Sequence, residues 1–223
     1  LGTGYKHNLY WSPDSKKISF IDNDGKIYVA DVDKSSVSKI DQLYRFINYG
    51  TCENFTASWS PDSKWMAYSR DIPNTHTAVF IYDVEGKTTK QVTSGFYSCA
   101  NPVFDVKGKY LFLTTNQVFS PTYGDFDNTF VYNNSTKLAA IALRKDVPAL
   151  LKPTNDTVAF TAAEEAKKTE KKDTATAKKE TKPASGIDYD SFESRLELLS
   201  PARGNIGRLA SVEGKILFLR SPN

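Results

Sequence analysis

The chain has 223 residues, of which 39% are hydrophobic, 13% are aromatic and 25% are charged, and its formal net charge at pH 7 is +3. Residues 164–185 supply +2 of that charge, through seven lysines and five acidic residues, so the rest of the chain is almost neutral. So small a net charge does not indicate the basic face that nucleic-acid binding needs, and we predict no nucleic-acid partner. No apolar run approaches the roughly 20 residues that a membrane-spanning helix needs.

A motif reading Trp-Ser-Pro-Asp-Ser-Lys occurs twice, beginning at Trp11 and again 48 residues later at Trp59. A weaker copy of the motif occurs around Phe104, 45 residues after Trp59. Self-similarity at a period of 40 to 50 residues with strand-like contents is typical of β-propellers and related arrays. We therefore interpret the chain as a repeat protein.

Each copy predicts a β-hairpin. In the turn that begins at Ser60, Pro61 presets φ for the second position and Asp62 suits the third, which favours a type I turn. The β-branched and aromatic runs that follow are separated by short glycine-containing turns at residues 23–25 and 85–87, which favour further hairpins. Four short antiparallel strands in each repeat make one propeller blade, so the predicted fold class is all-β.

The third repeat carries a long insertion at residues 114–136, crowded with aromatic side chains. A loop of this length in a compact domain is usually functional or packed by its own side chains. We interpret four of its residues as candidate contacts to an extended peptide: Phe119, Tyr123, Phe126 and Asp127. The alternative is that these side chains cover the side of the third blade or an interdomain seam.

Residues 164–185 contain no Val, Ile, Leu or aromatic side chain, and 12 of the 22 are charged. Such a composition cannot bury enough surface to offset the entropy of ordering, so a disordered linker is expected. The predicted domains are a partial first propeller of about three blades over 1–161, the flexible charged linker over 162–186, and the opening blade of a second propeller over 187–223. Because propellers need 4 to 8 blades to close, we expect the chain to be a piece of a longer protein.

The two cysteines, Cys52 and Cys99, precede consecutive repeats by similar distances. They either form a disulfide between neighbouring blades or are two unrelated thiols. Two cysteines are too few to indicate the cellular compartment.

Residues typical of catalysis are scarce. The chain contains no G-x-S-x-G elbow, no H-E-x-x-H and no P-loop, and its two histidines, His7 and His76, fall in a terminal segment and a hairpin connection. The aspartates at positions 22, 24, 31 and 33 lack the spacing of a calcium loop. We therefore predict no catalytic residue, no metal site and no cofactor in this chain.

The Trp-Ser-Pro-Asp-Ser-Lys repeats resemble the WD40-like propeller repeats of the TolB and tricorn protease families. A more specific resemblance is to bacterial tricorn protease homologues, at the end of their first propeller and the start of their second. It rests on an ordered series of segments: the insertion from Val118 to Phe126, the segment from Ala142 to Pro148, and the charged stretch leading to Gly204-Asn-Ile-Gly. The resemblance covers almost the whole chain. Its third turn departs from the pattern, with Val106 and Lys107 in place of Pro-Asp.

This resemblance implies a large serine peptidase in which propellers control the passage of peptides to a downstream catalytic core. It implies as partners peptides or unfolded polypeptide, the remaining blades and catalytic domains of the same chain, and further copies in a homo-oligomer. Two alternatives remain open from the repeats alone: a TolB-like binding propeller without hydrolysis, and the propeller cap of a prolyl oligopeptidase. The resemblance leaves the compartment, cytoplasmic or periplasmic, undecided.

Overall fold

The computed structural model describes residues 4–44, 52, 54–118, 121–124, 129–131, 134–151 and 186–222. The first sheet contains β1 (Lys6–Trp11), β2 (Lys17–Asp22), β3 (Lys26–Asp31) and β4 (Ser36–Gln42). The second contains β5 (Ala57–Trp59), β6 (Trp65–Asp71), β7 (Thr77–Asp83) and β8 (Thr88–Gln91). The rest of the chain adds β9 (Cys99–Phe104), β10 (Tyr110–Thr115), β11 (Thr122–Gly124), β12 (Thr129–Val131), β13 (Lys137–Ala142), β14 (Leu196–Leu198), β15 (Asn205–Val212) and β16 (Lys215–Ser221).

These strands form three four-stranded antiparallel sheets, which we call blades one to three, and two separate hairpins, β11–β12 and β15–β16. Blades one and two keep the order of the chain, and blade three has the order β14-β13-β10-β9. The predicted all-β architecture of four-stranded blades is confirmed. Helical structure in the described residues is limited to Cys52 and a 3₁₀ turn at Glu193–Arg195, and no helix among them is long and apolar enough to span a membrane.

The repeated turns explain how the first strand of each blade reverses into the second. In blade two, the amide of Ser63 donates to the carbonyl of Ser60 at 2.9 Å, and the Ser60 hydroxyl accepts from the amide of Trp65 at 2.9 Å. Ser63 closes the turn at φ 60°, in the left-handed region. The third turn replaces Pro-Asp with Val-Lys but places Gly108 at φ 64° in the same position, which preserves the reversal.

Neighbouring blades are joined by hydrogen bonds between their first strands and turns. The indole Nε1 of Trp59 donates across the seam to the carbonyl of Tyr10 at 3.0 Å, and the Ser63 hydroxyl accepts from the amide of Asp14 at 3.1 Å. Trp59 is 8% exposed in this seam. Its counterpart in blade one, Trp11, is 55% exposed, since none of the described blades covers that face.

The interior of the seam between blades one and two is built around Tyr68, which is fully buried. Its ring stacks on Phe80, with 5.8 Å between centroids and 15° between planes. Its hydroxyl donates to the carboxylate of Asp41 in blade one at 2.7 Å. A second cluster of buried apolar side chains, from β6, β7, β9, β10 and β13, fills the space between blades two and three.

The strands of blade three lie on both sides of the predicted domain boundary at residue 187. Its outer strand, β14, lies in the segment assigned by the sequence to a second propeller, and it pairs with β13 through Leu198 opposite Ala139 and Leu196 opposite Ile141. The amide of Leu199 also donates to the carbonyl of Leu138 at 2.9 Å. The apolar edge of β13 is therefore covered by a strand that follows the charged segment in the sequence. The proposed linker itself falls mostly outside the described residues.

The hairpin β15–β16 lies against β9 and β10, in the way that the first strand of each later blade lies against its predecessor. It thus occupies the position of the first two strands of a fourth blade. Its outward side chains, including Leu217 (54%) and Leu219 (57%), are exposed.

Removing the indole donor at the first seam tests the account of blade packing. We expect Trp59→Phe to lower the free energy of unfolding by about 1 kcal/mol, because the ring remains but the bond to Tyr10 is lost. Urea denaturation followed by circular dichroism measures it. The matched control Trp11→Phe, at an exposed site whose indole N–H has no partner among the described residues, should change this free energy by less than about 0.5 kcal/mol. Equal losses in the two variants would contradict the seam's importance.

The buried phenol of Tyr68 predicts a loss of stability in alkali. Burial, followed by the nearby carboxylate of Asp41, raises the pKa of Tyr68 well above its ordinary value of 10.0. The unfolded chain releases this proton near pH 10 and the folded chain keeps it, so the stabilisation is complete below pH 10 and declines above it.

We therefore expect Tyr68→Phe to be less stable at neutral pH but to show a shallower fall in unfolding free energy above pH 10. Chemical denaturation at a series of pH values measures this slope. Tyr5→Phe, at a residue 80% exposed, is the control and should keep the parent slope. If the unfolding free energy of Tyr68→Phe falls above pH 10 as steeply as that of the parent, the phenol of Tyr68 is not the cause of the alkaline loss of stability.

Candidate functional site

Two kinds of connection meet at one end of the blades, which we call the loop end. One is the hairpin between the second and third strands of a blade, and the other is the segment that leads into the next blade. The opposite end, carrying the turns at residues 12–15, 60–63 and 105–108, we call the turn end. Because the insertion joins β10 to β13, it belongs to the loop end.

Gly95 fixes the segment between blades two and three at the loop end. Its carbonyl accepts from Nδ2 of Asn74 at 2.9 Å and lies 2.8 Å from Nδ1 of His76, both in the hairpin of blade two. Gly95 has φ 76°, and a Cβ there would lie 2.1 Å from Cδ1 of Ile72, so only glycine fits. The backbone preceding Phe96 is therefore held in place.

Phe96 and Tyr97 follow this anchor and project from the surface. Their rings form an edge-to-face pair with centroids 5.0 Å apart, and they are 74% and 37% exposed. The sequence reasoning missed this pair. The signal available was two adjacent aromatic residues after a glycine, outside the alternating pattern of any strand.

A second aromatic pair lies in the insertion. Tyr123 in β11 is directly opposite Phe130 in β12, and their rings meet edge to face with centroids 5.9 Å apart. They are 53% and 60% exposed. Of the predicted contact residues, Tyr123 is thus placed on an exposed hairpin, whereas Phe119, Phe126 and Asp127 lie outside the described residues.

The bases of these two loops are hydrogen-bonded to each other. The amide of Asn116, where the insertion begins, donates to the carbonyl of Ser98 at 3.1 Å. The amide of Ser98 donates in return to Oδ1 of Asn116 at 2.8 Å, and the Ser98 hydroxyl accepts from the amide of Thr77 at 3.2 Å. The two loops that carry the aromatic pairs therefore start from a common, bonded base.

A cavity of about 340 Å³, which we call the polar pocket, opens at the same end between the entrances of blades two and three. Its lining includes the polar residues Thr56, Ser69, Arg70, Asp71, Thr75, Thr77 and Asn101, together with the apolar residues Leu43, Phe55 and Ala100. Hydroxyl, amide and guanidinium groups of this kind can each form hydrogen bonds with a ligand.

Arg70 is held at the wall of the polar pocket by a charge partner from blade one. Its Nε donates to Oδ2 of Asp41 at 2.7 Å, and both side chains are less than a fifth exposed. Its Nη1 donates to the carbonyl of Asp71 at 2.9 Å, and its Cζ lies 4.1 Å above the ring of Phe80. The guanidinium is therefore neutralised and rigid, which suits a hydrogen-bond donor better than an anion site.

The described residues hold no arrangement typical of catalysis. Cys52 and Cys99 are buried and not bonded to each other; their sulfurs donate to the carbonyl of Asp22 and the hydroxyl of Thr115. Burial raises the pKa of the Cys99 thiol, which disfavours the reactive thiolate. In the same part of the chain no three His, Cys, Asp or Glu side chains are grouped to hold a metal ion.

Comparison with known proteins identifies related propellers. The chain is 23% identical over 146 residues to tricorn protease homolog 1 of Streptomyces coelicolor, which covers 63% of this chain and 13% of that protein. It is 26% identical over 111 residues to a tricorn protease homolog of Saccharolobus solfataricus, which covers 50% of this chain and 10% of that protein. The chain therefore spans only about an eighth of the length of these relatives.

The crystal structure of the tricorn protease superposes on the whole chain with a TM-score of 0.71 at 17% identity, over 20% of that protein. The family model described as the tricorn protease second beta propeller domain matches residues 1–223. The chain belongs to the family of tricorn protease second β-propeller domains.

Proposed function

We propose that this chain is a noncatalytic propeller segment of a tricorn-like serine peptidase, which guides or gates peptide substrates on their way to a catalytic core elsewhere in the polypeptide. The observation that carries this proposal is the presence of two exposed aromatic pairs at the loop end, Phe96 with Tyr97 and Tyr123 with Phe130. Family membership supplies the context of a peptidase.

Aromatic rings suit this task because they offer large contact areas at little conformational cost. In an edge-to-face pair, one ring face remains open to a further apolar group. The hydrogen bonds between Ser98 and Asn116 hold the bases of both loops, so an extended peptide meets a prepared surface instead of a mobile one. Phe119, Phe126 and Asp127 remain proposed contacts of the same surface, with the aspartate selecting basic peptide ends.

The remaining blades of the same polypeptide are proposed as its first partners. Trp11 exposes an indole that its counterpart Trp59 buries in a seam, and Leu217 and Leu219 are exposed on the last hairpin. Large apolar groups on two unpartnered sheet faces favour cover by neighbouring blades. The catalytic domains and further copies in a homo-oligomer are partners implied by the family.

Removing both projecting phenylalanines tests the role of the aromatic pairs. We expect Phe96→Ala combined with Phe130→Ala in the full-length protein to lower kcat/KM for a long, aromatic-rich peptide by about tenfold, mainly through a higher KM, because two apolar contacts are lost. Steady-state peptide cleavage measures the effect. A dipeptide-sized chromogenic substrate, too short to engage both the loop end and the catalytic core, should be cleaved at the parent rate.

Val106→Ala is the control variant, because Val106 is 43% exposed at the turn end. It should leave cleavage of both substrates unchanged. All three proteins should melt within about 2 °C of one another, since the changed side chains are exposed. Parent cleavage of the long peptide by the double variant at an unchanged melting temperature would refute the proposal.

A further inference from the structure

The polar pocket has hydrogen-bonding groups that the protein itself leaves unused. Four hydroxyls line it, those of Thr56, Ser69, Thr75 and Thr77. Within the described part of the chain none of these hydroxyls has a hydrogen-bond partner. Each can donate one hydrogen bond and accept others, so together they can satisfy a ligand that presents donors and acceptors in turn.

Backbone geometry at the wall of the polar pocket is unusual at Thr75, which has φ 75°. Asn101, at φ 51°, lies at a β-bulge that Asn8 and Arg208 repeat in the equivalent strands. Asparagine tolerates the left-handed region, but a β-branched threonine rarely adopts it, and the turn position that Thr75 occupies normally takes glycine. Strained residues of this kind cluster at ligand sites, where the constraint serves a purpose. Threonine at this position places a hydroxyl at the pocket that glycine could not supply.

The charges around the polar pocket disfavour an anionic ligand. Arg70 is paired with Asp41 at 2.7 Å and also packs on Phe80, so it presents donor groups without a net positive charge. The carboxylate of Asp71, which accepts from the amide of Tyr44 at 3.2 Å, also belongs to the lining. Asn101 donates from Nδ2 to the hydroxyl of Thr114 at 3.1 Å, and its Oδ1 faces no partner among the described residues. Among the residues that the structure describes, a free carboxylate or phosphate would find no uncompensated cation at this pocket.

We infer that the polar pocket binds the main chain of a short, extended peptide segment. An extended main chain offers N–H and C=O groups alternately and carries no charge, which matches the hydroxyls, the Asn101 amide and the neutralised guanidinium. A volume of about 340 Å³ is at the small end of ligand pockets, so the pocket holds only a few residues. The inference rests on the proposed function, because it adds main-chain recognition to the side-chain contacts of the aromatic pairs.

Acetyl-tetraglycine amide is the probe, since it has a main chain but no side chains or terminal charges. We expect it to bind the full-length protein with a millimolar dissociation constant, measured by NMR or calorimetry up to about 10 mM. The combined variant Thr56→Val, Ser69→Ala and Thr77→Val removes three hydroxyls at nearly constant shape. It should weaken binding at least tenfold, since each lost hydrogen bond weakens binding roughly two- to tenfold.

Thr88→Val is the matched control, because Thr88 is exposed on β8, away from the polar pocket. It should bind tetraglycine as the parent does. Equal binding by the triple variant, or no binding by the parent, would overturn the inference. If Thr88→Val weakens tetraglycine binding as much as the triple variant does, the inference is overturned as well, because the loss would then not depend on the pocket.

The same proteins separate this inference from the proposed function. If tetraglycine does not bind but the Phe96 and Phe130 variants still impair cleavage of the long peptide, the inference fails and the proposed function stands. If tetraglycine binding depends on the three hydroxyls but those variants cleave normally, the pocket is a main-chain site and the guiding role of the aromatic pairs fails.

Discussion

The hydrogen bond from the Trp59 indole to the carbonyl of Tyr10 shows the constraint on which the whole structure depends: a blade is complete only against its neighbour. A four-stranded sheet with two apolar faces cannot cover both by itself. Tyr68, Phe80 and the Asp41–Arg70 pair fill one seam, and a separate apolar cluster fills the next. Trp11 and Leu219 lie on faces that no described strand covers, and both are exposed.

Fixing the seams also fixes the loop end. The hairpin of blade two is bonded to Gly95, and the segment that follows Gly95 is bonded through Ser98 to the base of the insertion. The bases of the loops are therefore fixed to the core through hydrogen bonds between side chains and backbone and not through the exposed rings. This division lets the exposed side chains change without loss of the fold, as a surface that selects ligands requires.

The blades were predictable because the Ser-Pro-Asp-Ser turn is a local signal that repeats, and Gly108 preserves it where the proline is absent. The outer strand of blade three was not predictable from the sequence. Leu196–Leu198 is short, and it pairs with β13 across more than 50 residues of chain. Tyr123 was found from aromatic crowding. Phe96 and the hydroxyls of the polar pocket were missed. Residues from three separate connections form these surfaces, so they share no motif with a recognisable spacing in the sequence.

The most direct test of the central claim, that the loop end is the surface which meets peptide, is hydrogen–deuterium exchange of the full-length protein with and without a long aromatic-rich peptide. If the loop end meets peptide, amide exchange at residues 95–98 and 129–131 slows on peptide addition, and exchange in the turns at 60–63 and 105–108 does not change. Slower exchange confined to the turn end, or none at peptide concentrations that saturate cleavage, would contradict it.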